Sequence, residues 1–173
     1  SKKGVFIIES LEFKDEKADR FEGKLLSQIL KLGGIPCQYF YLRTQTELET
    51  ILQEFEKSQY RYLHISCHGS KTSISTTLDV IPFIELADII TPYLDQRRLF
   101  LSACSAAKDD LAKEIFPYCE CYSVIGFDED IYFHDAAIMW ASFYHIILKK
   151  DTMKRNDISN IIEILANLYD VPV

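Results

Sequence analysis

The sequence has no surplus of positive charge, no run of glycine or proline and no even set of cysteines, and each absence removes a class of protein. Its 19 Lys and Arg stand against 26 Asp and Glu, a formal net charge of −7. That balance disfavours a nucleic-acid partner, because such binders gather cations on one face. The basic pairs Arg97-Arg98 and Lys149-Lys150 are isolated and read as solubilising ends of elements. Six Gly and five Pro leave no room for a low-complexity linker. The cysteines, at 37, 67, 104, 119 and 121, lack a disulfide-framework spacing and point to a reducing, cytoplasmic setting. The longest apolar run, Ala136 to Leu148, falls short of the roughly 20 residues of a membrane-spanning helix. The N-terminal lysines precede only a short apolar strand, unlike a secretory signal. No membrane partner is expected. No glycine follows the first apolar run in Glu9-Ser10-Leu11-Glu12-Phe13, which argues against a Rossmann loop or a P-loop, and no cofactor is expected.

What is present is the pattern of one domain spanning residues 1–173, with 48% hydrophobic and 26% charged residues and enough chain for a full core. Continuous apolar runs at Gly4–Glu9, Cys37–Leu42, Tyr60–Ser66, Arg98–Ser102 and Tyr122–Phe127 predict five strands, the kind buried on both faces of a parallel sheet. Glu12 to Asp15 reads as a polar turn. A helix from Asp19 shows Phe21, Leu25, Ile29 and Leu32 at helical spacing, widened by Leu26 and Leu30 and stopped by Gly33-Gly34. Thr46 caps a helix carrying Leu48, Ile51, Leu52 and Phe55.

Ser70 to Thr77 reads as a loop, with a small hairpin ending at Leu78 to Ile81. Phe83, Leu86, Ala87 and Ile90 form a helix ended by Pro92. Leu111, Ala112, Ile115 and Phe116 share one face of a short helix starting just after Cys104. A helix apolar nearly all round, Ala136 to Leu148, must be well covered. The last helix, Asp157 to Tyr169, puts Ile158, Ile161, Ile162, Leu165 and Leu168 on one face. Alternating strands and helices predict an α/β fold, a three-layer α/β/α sandwich with a mostly parallel sheet in strand order 2-1-3-4-5.

Ligands bind beyond the carboxyl ends of such strands. His68, after the third strand, and Cys104, after the fourth, both fall there. A histidine and a cysteine that meet above a sheet edge can make a thiolate with its general base. Gly69 lets a substrate approach the backbone, and a helix N-terminus after Cys104 favours thiolate. Glu9, at the end of the first strand, is placed to line the same cleft. Cys67 points to the opposite face and reads as core. Cys119 and Cys121 lack a second ligand pair for zinc, so no metal is expected. His64 lies mid-strand; His134 and His145, on or near the apolar helix, read as packed residues.

His-Ile-Ser-Cys-His68-Gly69 followed by Leu-Phe-Leu-Ser-Ala-Cys104-Ser105 resembles the cysteine peptidases of the caspase-like fold (clan CD), most closely the CHAT branch related to separases. The likeness runs from the first strand to about Leu148, through Glu85-Leu-Ala, the strand ending in Val-Ile-Gly126 and the Phe143-Tyr144 helix. It implies a thiol endopeptidase with Cys104 as nucleophile and His68 as base. The N–H groups of Gly69 and Cys104 would form the oxyanion hole.

Ser105-Ala106-Ala107 lack the glycine that often follows the nucleophile in that family. With one short helix before the fifth strand there is no long cleavable linker, so the expectation is control by a regulatory protein partner or ligand rather than self-processing. The acidic segment Asp128-Glu129-Asp130 has two readings: by the resemblance, Asp128 or Asp130 receives a basic P1 side chain; otherwise it is a solvated loop capping the next helix. Two other classes stay open, a catalytically silent protein-interaction module on the same fold and a nucleotide hydrolase similar to TIR domains. The partner of the favoured class is a protein or peptide substrate.

Overall fold

The computed structural model describes residues 1–104, 108–150 and 154–173. In chain order the elements are β1 (Lys2–Glu9), α1 (Phe13–Lys17), α2 (Glu22–Leu32), β2 (Cys37–Tyr41), α3 (Gln45–Ser58), β3 (Tyr60–Ser66), β4 (His68–Gly69), β5 (Ser73–Ser75), β6 (Val80–Pro82), α4 (Phe83–Ile90), β7 (Arg98–Ser102), α5 (Lys108–Ile115), β8 (Ser123–Gly126), α6 (Phe133–Lys150) and α7 (Arg155–Tyr169). The main sheet runs β2-β1-β3-β7-β8, all parallel. That is the 2-1-3-4-5 order expected, in a three-layer α/β/α sandwich.

Alternation along the strands sorts side chains into two cores. Phe6, Ile8, Leu63, Ile65, Leu99 and Leu101 pack with α3, α4 and α5, through residues such as Leu52, Phe55, Leu86 and Leu111. Val5, Ile7, Tyr62 and Phe100 face α2, α6 and α7, meeting Leu26, Leu30, Trp140, Phe143, Tyr144 and Ile158. In register, Glu9 lies beside Ser66, and Ser66 beside Ser102. The three strands therefore end flush, and His68 and Cys104 each lie two residues past that rung.

Local chemistry corrects several expectations. Asp15 belongs to a helix, α1, rather than a polar turn. On α2 the buried apolar side chains are Leu26 and Leu30, while Leu25, Ile29 and Leu32 are exposed; the stripe continued by Gly23 and Ser27 is the one small enough to sit against the sheet. Thr44, two residues earlier than expected, caps α3: its hydroxyl accepts from the Glu47 N–H, and the Glu47 carboxylate answers the Thr44 N–H, a reciprocal capping box. The segment after His68 is a small antiparallel sheet in which His68 pairs with Ser75 and Gly69 with Ile74. Leu168, Phe116 and His145 face outward. The expected start of the helix after Cys104 lies outside the described residues; α5 is described from Lys108. Among the described residues, no helix is long and apolar enough to cross a membrane.

Candidate active site

The flush ends of β1, β3 and β7 place three polar residues, Glu9, Ser66 and Ser102, under the start of α2. Glu9 is fully buried and accepts from the N–H of Gly23 at 2.6 Å, the N–H of Lys24 at 3.2 Å, the Tyr39 hydroxyl at 2.6 Å and the Ser66 hydroxyl at 3.4 Å. Helix N-termini present N–H groups without intrahelical partners, and Glu9 serves two of them. Gly23 permits the approach, since a Cβ there would lie 3.1 Å from the Glu9 carboxyl. Glu9 therefore lies at the expected sheet end, yet anchors α2 from inside the protein and offers no carboxylate to an open cleft. Burial, only partly offset by these donors, raises its pKa.

Glu22, the first residue of α2, accepts from the Ser102 hydroxyl at 2.9 Å and the Ser66 hydroxyl at 3.1 Å. Burial outweighs these donors and, with Glu9 nearby, pushes its pKa up to about 8. Burial thus favours its neutral, protonated form. His64, fully buried, shares a hydrogen bond of 2.9 Å between Nδ1 and the Tyr144 hydroxyl. Among the described residues its Nε2 has no hydrogen-bond partner, and it lies 3.9 Å from Glu22 Oε1. Burial drives His64 down to about 3.

Above this layer, His68 and Cys104 line one recess of about 30 Å³ together with Glu22, Cys67, Ser102 and Ile131. The sequence-derived pair is thus brought to one place. Cys104 Sγ donates to the Ile131 carbonyl at 3.3 Å and accepts from the Ile131 N–H at 3.4 Å. The Phe133 ring stands edge-on to the His68 ring at 5.9 Å. His68 Nε2 lies 2.6 Å from Asp15 Oδ2. Asp15 is a residue that sequence reasoning passed over, because a five-residue helix has no periodicity to mark its inward side.

In the other four thiols desolvation favours the protonated form. Desolvation pushes Cys67 up to about 12 and Cys37 and Cys121 up to about 11, and it raises Cys119. Cys121 donates to the carbonyls of Arg97 and Ser123, and Cys119 to that of Ile115. His134 is exposed and stacks on Tyr132.

The acidic loop divides. Asp128 lines a separate recess beside α7, with Val124 and Val171, and its N–H donates to the Pro172 carbonyl. The structure does not bring it to the Cys104 recess. Asp130 is exposed and directly precedes Ile131. Glu12, Asp15 and His68 each offer a ligand-type atom within 4.8 Å of the others, a set of two oxygens and one nitrogen that matches common metal donors.

The fold and this strand edge define the class: an α/β/α sandwich presenting a cysteine and a histidine at neighbouring strand ends. Comparison with protein families and with curated proteins found no match. Among solved structures, the chain is similar to a flavone reductase, with a TM-score of 0.46 and 10% identity over 96% of this chain. The chain spans 62% of that protein's length. So distant a likeness carries no argument about chemistry.

Proposed function

We propose that the domain is a cysteine endopeptidase of the caspase-like kind, nearest the CHAT and separase branch, acting in the cytoplasm on a protein or peptide substrate under the control of a regulatory protein partner. The observation that carries this reading is the shared recess of Cys104 and His68 at adjacent strand ends. Free thiols at all five cysteines support the reducing compartment.

In the reaction, the Cys104 proton passes to His68 while sulfur attacks the peptide carbonyl carbon, and the carbonyl π pair moves onto oxygen. The N–H groups of Gly69 and Cys104 receive that oxyanion. Collapse breaks the C–N bond, and the amine leaves with the proton held on the imidazole. Water, deprotonated by the same imidazole, splits the thioester and restores the thiol.

Two variants test this. In the native protein, iodoacetamide modifies Cys104 at least about tenfold faster than the other four thiols, whose burial holds them protonated. In His68→Ala that rate falls, and peptide hydrolysis drops by about 10²–10⁴-fold; Cys104→Ala abolishes it, and a chelator leaves it unchanged. Uniformly slow labelling would sink the proposal. The engagement of Cys104 Sγ by Ile131 favours, as the second reading, a catalytically silent interaction module, and uniform labelling is the result that module would give.

Asp130, next to Ile131, is the acid of the loop best placed to read the P1 side chain. Fluorogenic peptides with Arg at P1 are therefore cut faster than those with Asp, and Asp130→Asn narrows the difference. A preference for Asp at P1 would remove this assignment.

A further inference from the structure

Helix α1 contributes almost nothing to either core. Its five residues, Phe13–Lys17, bury a single side chain, and that side chain is the carboxylate of Asp15. Asp15 is 1% exposed, and a carboxylate removed from water is costly unless paired and hydrogen-bonded. Its partners are few and specific. Oδ2 lies 2.6 Å from His68 Nε2 and Oδ1 accepts from Arg20 Nη1 at 3.2 Å.

The chain returns Arg20 to Asp15 through Asp19, which adopts the left-handed conformation at φ 58°, and the Arg20 N–H donates to the Asp15 carbonyl at 3.0 Å. The Arg20 guanidinium lies 5.7 Å from the centre of the Phe133 ring, and that ring stands edge-on to His68. Carboxylate, guanidinium, phenyl ring and imidazole therefore close a loop around His68.

Helix α1 is itself tied down at both ends. The Thr77 hydroxyl donates to the Leu11 carbonyl at 2.6 Å just before it. Near its far end, Glu16 accepts from the Tyr41 hydroxyl and is bridged by Arg43 Nε at 3.0 Å and Nη2 at 2.6 Å. A short segment so tethered holds one buried group, and the group it holds meets the imidazole.

We infer that Asp15 is a positioning residue that fixes His68 in the tautomer with its proton on Nε2, leaving the Nδ1 lone pair to take the proton of Cys104. The inference rests on the cysteine-hydrolase reading above. A carboxylate is an acceptor only, so a neutral imidazole bonded to it through Nε2 must be the donor there. The other nitrogen is then the base. When His68 takes the thiol proton, the imidazolium that forms already faces a fixed negative charge, which stabilises the ion pair.

Asp15→Asn separates this role from mere packing. With its oxygen kept toward Arg20, the asparagine presents NH₂ to Nε2 and reverses the tautomer. The expected result is a fall in kcat of about a hundredfold or more with KM little changed, and a pH profile whose basic-form limb moves. Cys104 alkylation slows in parallel, while Asp15→Glu recovers part of the rate. In ¹⁵N spectra of the histidine rings, wild-type His68 shows the Nε2–H pattern and Asp15→Asn the Nδ1–H pattern.

The wild-type spectrum decides even if the variants fail to fold, since an Nδ1–H pattern there overturns the inference. So does an unchanged tautomer and pH profile in folded Asp15→Asn. If His68→Ala leaves labelling and hydrolysis untouched, the cysteine-hydrolase reading falls instead. If His68→Ala abolishes them and Asp15→Asn does not, only the role of Asp15 is lost.

Discussion

Glu22→Gln leaves stability within about 1 kcal/mol of wild type at pH 4.5 and raises it by several kcal/mol at pH 8.5. The cause is a proton. Burial lifts Glu22 to about 8 in the native protein from 4.5 in the free side chain, so the unfolded chain has released that proton over a window in which the folded chain still holds it. Each pH unit within the window lowers unfolding free energy by about 1.4 kcal/mol. His64 works in the opposite sense: burial lowers it from 6.5 to about 3, and its contribution is lost as pH falls below 6.5.

Between pH 4.5 and 6.5 the unfolded chain keeps one proton, on His64, and the native protein keeps one, on Glu22. The two slopes cancel there. Wild type is therefore most stable across this mildly acidic plateau and weakens on both sides of it, from these two residues. The glutamine variant keeps the Ser66 and Ser102 hydroxyls satisfied and loses the alkaline decline. Urea denaturation at pH 4.5, 6, 7 and 8.5 measures it; parallel curves for the two proteins would show that Glu22 is ionised in the fold.

The second large effect lies at the centre of β7. Phe100→Ala costs about 3–5 kcal/mol and lowers Tm by roughly 10 °C or more. Phe100 is fully buried, and its ring centre lies 5.7 Å from that of Tyr62, 5.6 Å from Trp140, 5.2 Å from Phe143 and 5.6 Å from Tyr144. Four large rings on two rigid elements cannot collapse into the void, so most of the cavity penalty stays. Phe100→Leu recovers part of the loss. On the peptidase reading, since β7 leads directly to Cys104, the alanine variant also loses hydrolysis at temperatures where it remains folded. A destabilisation under about 1 kcal/mol would mean that α6 closes onto the sheet, contrary to its packing.

The strands were legible because Val5 to Ile8 and Leu99 to Leu101 are short continuous apolar runs, and Tyr62 to Ile65 one broken only by His64, the pattern that fits a strand buried on both faces of a parallel sheet. His68 and Cys104 were legible as reactive side chains that each lie two residues past the end of such a run. Helix faces were less so: Leu25-Leu26 and Ile29-Leu30 form two overlapping stripes on α2, and periodicity alone does not choose between them. The small residues Gly23 and Ser27 chose. Glu9 misled because an acid at a strand end reads as a cleft residue until its donors, Gly23 and Tyr39, are in place. Asp15 was invisible because its meaning lies in His68, 53 residues further on.

The contact between Cys104 and Ile131 has a consequence for affinity. A carbonyl that reaches the sulfur must take a position now held by a backbone amide of the same chain, present at the high effective concentration of a tethered group. The recess of about 30 Å³ has room for about one water and none for a peptide. On the peptidase reading, substrate affinity is thus multiplied by the share of molecules in which Ile131 has withdrawn from the sulfur, and a partner that grips Ile131 from outside sets that share without touching Cys104.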